Sequence, residues 1–380
     1  MTSFDVQGGG PVRGTFRVPG DKSISHRALL LAAQAHGTSR IRGLSNGEDV
    51  RRTAAIVQAM GAVIEGEQIT GGALHEPDHV LDVGNSGTTI RLLAGYCAAL
   101  PWLTVLQGDA SIAARPMDRV AEPLRSMGAR IDGRADGRLT PLVIRGGGLH
   151  GIEYSPPMAS AQVKSALLLA GLGADGETVV RERVATRAHT EEMLAMAGAD
   201  VRVDDGGRTI RVRRSRLQPF ELRVPGDPSQ AAFWAVAGLV VAGSDLAVEN
   251  IYAGPARTGF VDVLRRMGGA VELEPTGVAT HEARLRSRAS TLQGTTIDGN
   301  EIPSLDEVPV LAVAAALAAG ETVIHNAAEL RVKESDRIKT VTEGLSRMGA
   351  DIEATSDGMV IRGPARLVGA TVDSYGDHRV

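Results

Sequence analysis

A unit of about 71 residues recurs along this chain, and no other feature restricts its fold as much. Each copy begins with a helix that opens on a small or acidic residue, continues as an apolar run and ends near glycine. These starts fall at Ser23, Ser86, Ser160, Ser229 and Asp306. A β-rich stretch follows each: 38–41, 103–106, 177–180, 245–248 and 321–324. A second, more amphipathic helix then stops at Met60-Gly61-Ala62, Met127-Gly128-Ala129, Ala197-Gly198-Ala199, Met267-Gly268-Gly269-Ala270 and Met348-Gly349-Ala350. Glycine just past the last turn supplies the left-handed residue that closes a helix. Each copy reads as β-α-β-α-β-β, which makes the chain an α/β protein built of repeats. Asp377-His378-Arg379 reads as a sixth start, so a sixth unit is expected to be missing apart from its opening. If the segment 1–22 supplies strands to close the set, about 49 residues are wanting.

A longer duplication marks the domains. Val18-Pro19-Gly20-Asp21-Lys22-Ser23 is echoed three units later by Val224-Pro225-Gly226-Asp227-Pro228-Ser229. The spacing predicts two matching lobes, 19–224 and 1–18 plus 225–380, joined by two crossings that make a hinge beside a ligand cleft. With aromatics at 3%, the core must come from Ala, Val, Leu and Ile. A net charge of −4 argues against bulk binding to nucleic acid or an anionic membrane. The single cysteine, Cys97, excludes an intrachain disulfide framework and a CxxC-type metal site. No basic-then-apolar leader and no run of twenty apolar residues is visible, so a cytoplasmic enzyme or binding protein is expected.

The helix starts carry the chemistry. Lys22-Ser23-Ile24-Ser25-His26-Arg27 places two cations at an end where unpaired N–H groups and the helix dipole favour anions. Gly84-Asn85-Ser86-Gly87-Thr88-Thr89-Ile90-Arg91 repeats the design and lets a ligand approach the backbone, and Ser160-Ala161-Gln162-Val163-Lys164-Ser165 adds hydroxyl, amide and amine groups. Capped helices with solvated cations are the plainer account of each stretch. Arg115-Pro116-Met117, expected to open a helix, then Arg187-Ala188-His189-Thr190-Glu191, the run Arg331–Arg337 and Arg379 repeat the basic theme in register. Together they predict a strongly anion-attracting cleft in a chain of net negative charge. Asp306-Glu307 and Glu334 stand out among these cations. An acid at a helix start is commonly a cap, and one among bases is commonly an ion-pair partner. In a site built for anions a carboxylate is better explained as a proton carrier.

The ordered set of Val18–Arg27, Gly84–Thr88, Arg115–Met117, Ser160–Gln162, Val332–Arg337 and Gly376–Arg379 resembles the EPSP synthase family of enolpyruvyl transferases across the whole chain. The resemblance implies a two-lobed inside-out α/β barrel with three units per lobe. It implies transfer of the enolpyruvyl group of phosphoenolpyruvate to the 5-hydroxyl of shikimate 3-phosphate, on the route to chorismate and the aromatic amino acids. No metal or organic cofactor is implied, and the expected state is a monomer. Carried over residue by residue, Lys22, Ser23, Arg27, Ser160, Ala161, Gln162, Arg187, Asp306 and Lys333 would hold shikimate 3-phosphate. Lys22, Gly87, Arg115, Gln162, Arg337 and Arg379 would hold phosphoenolpyruvate. Asp306, Glu334 and Lys22 would be catalytic, the first taking the hydroxyl proton and the second serving C3. Lobe closure would expel water.

Three departures from the family pattern stand out. Ala161 replaces a serine, Glu329-Leu330 stands where some relatives carry an asparagine contact, and the last unit's lysine is absent. Gly87, where tolerant relatives of this branch carry alanine, leads to an expectation of glyphosate sensitivity. Two other readings compete with the transferase. One is a non-catalytic or impaired form binding the same anions. The other is the sister enzyme that uses UDP-N-acetylglucosamine, which carries a reactive cysteine where Ala110 stands and an asparagine where Ser23 stands.

Overall fold

The computed structural model describes residues 3–277 and 281–380. The chain divides into two compact units: an inserted unit, 19–225, and an outer unit, 1–18 plus 226–380. Among the described residues the strands form five four-stranded sheets that share one topology. In each, an edge strand pairs in parallel with the strand that follows the apolar helix, and a hairpin adds two antiparallel strands.

In the inserted unit the helices are α1 (Lys22–Gln34), α2 (Glu48–Ala59), α3 (Gly87–Ala98), α4 (Ala110–Ala113), α5 (Asp118–Ser126), α6 (Ala161–Gly171) and α7 (His189–Met196). In the outer unit they are α8 (Pro228–Val240), α9 (Gly259–Arg266), α10 (Val308–Leu317) and α11 (Arg337–Arg347). α1, α3, α6, α8 and α10 are apolar on most sides and lie in the cores; Leu29, Leu30 and Leu31 of α1 are fully buried. Each such leucine contributes roughly 1.5–3 kcal/mol over leaving it exposed. One apolar cluster runs through the outer unit from Val18 to Ile361, with few aromatics. α2, α5, α7, α9 and α11 bury one face only, and each ends at a glycine with positive φ: Gly61, Gly128, Gly198, Gly268 and Gly349. A side chain there would be strained, which explains the recurrence of the stop. Within the inserted unit, Gly95 lets α3 lie against α6, since a methyl at that position would overlap the carbonyl oxygen of Ala166.

The strand before each joint closes a sheet of its own unit. Arg13–Arg17, before the first joint, pairs in parallel with Asp245–Tyr252, the strand that follows α8. Glu221–Arg223, before the second joint, pairs in parallel with Gly37–Arg42, the strand that follows α1. The N-terminal segment therefore completes the fourth repeat's sheet. Asp21 and Asp227 cap the helices that follow, accepting from Ile24 N–H at 2.8 Å and Ser229 N–H at 2.9 Å. The echoed Val-Pro-Gly-Asp is thus a strand exit fused to a helix cap.

Three boundaries differ from expectation. Arg115-Pro116-Met117 does not open a helix: Met117 N–H donates to the Arg138 carbonyl at 2.8 Å, and α5 starts at Asp118. α10 opens at Val308, two residues after Asp306, whose carboxylate is engaged elsewhere. Arg379 does not begin a helix, because residues 364–380 hold neither helix nor strand. There Asp377 turns its carboxylate back on Arg379 N–H at 2.9 Å. No helix among the described residues is long and apolar enough to cross a membrane.

Candidate active site

In the inserted unit, the start of α1 is bound to its neighbours mainly through neutral oxygens. Arg27 is almost fully buried and donates to the Ser23 carbonyl (2.9 Å), Ser23 Oγ (2.7 Å), Ser165 Oγ (2.6 Å) and Thr190 Oγ1 (2.6 Å). Ser23 Oγ also meets His189 Nδ1 at 3.1 Å. Ser23 and Arg27 thereby stand on a network shared by α1, α6 and α7. Lys22 instead pairs with a carboxylate, Asp49 on the first turn of α2, at 3.1 Å. His26 lies beneath them, with Nε2 3.6 Å from Asp49 and Nδ1 2.8 Å from Thr53 Oγ1. Burial pushes the His26 pKa below its ordinary value in spite of Asp49. A neutral ring with its proton on Nε2 fits both neighbours. For Asp49, burial acts upward, yet the His26 contact and the Lys22 charge hold it well below the usual carboxylate range.

α3 and α6 bring their first turns together. Gln162 accepts from Arg91 at 2.7 Å and donates to Thr88 Oγ1 at 3.0 Å. Ser160 caps α6 through Val163 N–H at 3.4 Å, and Ala161 is its first residue. Gly87 begins α3 with the buried Arg115 guanidinium against its Cα; a methyl there would overlap an Arg115 nitrogen. Arg187 is half-buried in the loop before α7. Cys97 is buried in α3 with its thiol pKa pushed up to about 12 by burial, which keeps it protonated and unreactive.

In the outer unit, carboxylates dominate. Arg337 is fully buried at the first position of α11. It donates to Asp306 (3.1 Å), Glu334 (2.6 Å) and both oxygens of Asp377 (2.9 and 3.2 Å). Burial acts to lower its pKa, but Asp306, Asp377 and Glu334 outweigh it and hold it above the ordinary value. Arg379 lies 3.7 Å from Asp306 and 3.8 Å from Asp227. Lys333 donates to the Ser304 carbonyl at 3.1 Å and stands 3.9 Å from Asp306. Arg331 braces this region, holding Asp336 at 2.8 Å and the carbonyls of Thr355 and Ser356. The expected anion-attracting character is therefore not uniform. Four cations here (Arg257, Lys333, Arg337, Arg379) share a cluster with Asp227, Asp306, Glu307, Glu334 and Asp377.

Asp306 does not cap α10; its carboxylate is held among cations. Sequence reasoning missed Asp49, Arg257, Glu307 and Asp377 as members of these clusters. Asp49 looks like an ordinary first-turn acid, and only its neighbourhood with Lys22 singles it out. Glu307 is buried and accepts from Ser229 at 2.5 Å and Ser304 at 2.6 Å, although Asp306 beside it drew the attention. Asp377 sits within a quoted motif, where Arg379 seemed the active member. Among the described residues no group of three His, Cys, Asp or Glu is placed to hold a metal ion.

Known proteins match this arrangement over nearly the full chain. The family model described as EPSP synthase (3-phosphoshikimate 1-carboxyvinyltransferase) matches residues 6–380. The 3-phosphoshikimate 1-carboxyvinyltransferase of Bacillus thuringiensis subsp. konkukian is 49% identical, covering 97% of this chain and 88% of its own. That of Shouchella clausii is 50% identical, with 97% and 87% covered. A solved EPSP synthase from Acinetobacter baumannii superposes with a TM-score of 0.84 at 41% identity, covering 98% of this chain and 88% of that one. The enolpyruvyl transferase NikO from Streptomyces tendae shares the fold with a TM-score of 0.74, at 18% identity over 95% of this chain and 84% of its own.

Proposed function

This chain belongs to the EPSP synthase family, and we propose that it transfers the enolpyruvyl group of phosphoenolpyruvate to the 5-hydroxyl of shikimate 3-phosphate. The observation that carries the reading is the clamp on Arg337, which holds two carboxylates of different hydrogen-bonding surroundings, Asp306 and Glu334, at 3.1 and 2.6 Å. Anion binding alone has no use for such a pair. Proton transfer in two directions does.

In this reading Asp306 accepts the proton of the 5-hydroxyl as that oxygen bonds to C2 of phosphoenolpyruvate. Glu334, protonated, delivers a proton to C3, giving a tetrahedral adduct. It then takes a proton back from C3 as the C2–O bond to phosphate breaks, so the double bond is restored and phosphate leaves. Lys22, Ser23, Arg27, Ser160, Ala161, Gln162, Arg187 and Lys333 hold shikimate 3-phosphate, Ala161 through its backbone alone. Lys22, Gly87, Arg115, Gln162, Arg337 and Arg379 hold phosphoenolpyruvate. Arginine forks suit carboxylate and phosphate, and preorganised charge favours the transition state over water. The hydroxyl partners of Arg27 support its assignment, because a phosphate oxygen can replace a neutral acceptor at little cost.

The same reading takes the repeats as parts of an inside-out α/β barrel, the chain as a cytoplasmic monomer, and glyphosate as an inhibitor competing beside Gly87. Phosphate release on mixing the chain with both substrates tests the core of it. Release dependent on shikimate 3-phosphate, abolished or cut roughly 10²–10⁴-fold in Asp306→Asn, is expected. Release that ignores shikimate 3-phosphate, or turnover of a UDP-sugar in its place, overturns it.

A further inference from the structure

Lys164 stands on α6 two residues past Gln162, and its side chain is fully shielded from water. It donates to Glu182 at 2.9 Å and Glu191 at 2.8 Å, which are only 1% and 3% exposed. Burying three charged groups is costly, and packed apolar residues commonly serve a core as well or better. The partners point to what the cluster does instead. Glu182 also accepts from Thr186, through its N–H at 3.2 Å and its Oγ1 at 2.6 Å, and Thr186 directly precedes Arg187. Glu191 lies on the first turn of α7, next to Thr190. Thr190 Oγ1 meets Ser165 Oγ at 2.6 Å, and Ser165 is the neighbour of Lys164. Two adjacent rungs, Lys164–Glu191 and Ser165–Thr190, thus tie α6 to α7, and Arg27 donates to both members of the second.

The segment 187–189 is consequently fixed at both ends, by Glu182 on Thr186 and by the two rungs on 190–191. We infer that Lys164, acting through Glu182 and Glu191, is a positioning residue that sets where Arg187 stands for the phosphorylated acceptor substrate. Fixing a charged side chain before binding removes part of the ordering cost that binding otherwise carries. This rests on the reading of shikimate 3-phosphate as that substrate.

A double-mutant cycle tests it. Shikimate 3-phosphate binding is measured by calorimetry for the unaltered chain, Lys164→Met, Arg187→Ala and the double variant, with KM for phosphoenolpyruvate measured alongside. Lys164→Met is expected to weaken shikimate 3-phosphate about tenfold while shifting KM for phosphoenolpyruvate less than about threefold. In the Arg187→Ala background the same change is expected to cost less than about twofold, the mark of two residues acting as one. Equal costs in both backgrounds overturn the inference, as does a uniform rise for both substrates. If Lys164→Met fails to fold, Glu182→Gln, which loosens the hold on Thr186 without emptying the site, takes its place in the cycle. An unaltered chain that binds no shikimate 3-phosphate fells the substrate reading and this inference with it. Binding with additive losses fells only the latter.

Discussion

Arg27 and Arg91 of the inserted unit are held differently from Arg257, Arg337 and Arg379 of the outer unit. In the inserted unit Arg27 and Arg91 are held by hydroxyls, a carbonyl and an amide. In the outer unit Arg257, Arg337 and Arg379 face carboxylates. A hydroxyl that accepts from a guanidinium is a neutral partner that an anionic oxygen can replace. A guanidinium clamped by carboxylates spends its hydrogen bonds holding them in place. Under the proposed function the contrast assigns the hydroxyl-held Arg27 to substrate binding and the carboxylates around Arg337 to proton transfer. It also means that equal-looking arginines in the sequence should respond differently to removal.

The largest difference is expected at Arg337. Arg337→Met leaves Asp306, Glu334 and Asp377 around an apolar side chain, and removing one side of a buried ionic cluster costs about 3–5 kcal/mol. Urea unfolding measures this, and a loss under about 1 kcal/mol breaks the comparison. Arg27→Gln should cost the fold less, about 1–2 kcal/mol, because its hydroxyl partners can bond one another, as Ser165 and Thr190 already do. Its effect falls on the ligand instead: shikimate 3-phosphate affinity should drop about 100-fold by calorimetry, some 2.7 kcal/mol. A stability loss matching that of Arg337→Met would erase the distinction.

Gly87→Ala sharpens the comparison without touching a charge. The added methyl displaces the Arg115 guanidinium, a flexible end that can move, so the fold should tolerate it. Steady-state kinetics should show KM for phosphoenolpyruvate rising about three- to tenfold, roughly 1 kcal/mol, and a larger loss of glyphosate inhibition. Unchanged values for both would mean that Arg115 does not meet the donor at this point.

The smallest effect concerns a cation of the inserted unit that, like Lys164, meets a carboxylate: Lys22 beside Asp49. Burial depresses the His26 pKa, so the unfolded chain binds a proton there that the folded chain refuses. The associated stability is present above pH 6.5 and is lost as pH falls below it. Asp49, depressed by its His26 and Lys22 contacts against its burial, adds a second loss only below pH 3.8. His26→Gln should therefore flatten the stability profile between pH 6.5 and about 5, as followed by thermal unfolding. An unaltered slope would show that the ring titrates as an ordinary histidine.

Much of this molecule is legible in its residues because the relevant rules are local. Each Met-Gly-Ala stop lies at a positive-φ glycine, and the apolar runs became buried helices, since capping, periodicity and left-handed glycine act over a few residues. The link between Ser23 and Arg27 was visible as a four-residue helical spacing. The family, too, follows from ordered motifs. What the residues alone left open depends on partners far apart in the chain. Arg27 finds Thr190 across 163 positions, and Arg337 finds Asp377 across 40. No periodicity encodes such meetings. The sequence by itself determined where the amphipathic helices stop and, to within two residues, where the apolar helices start. Only the tertiary structure decided which charged groups meet hydroxyls and which meet carboxylates, because electrostatic partnership depends on distance in space, and here that distance is set by packed helices and sheets rather than by neighbours in the chain.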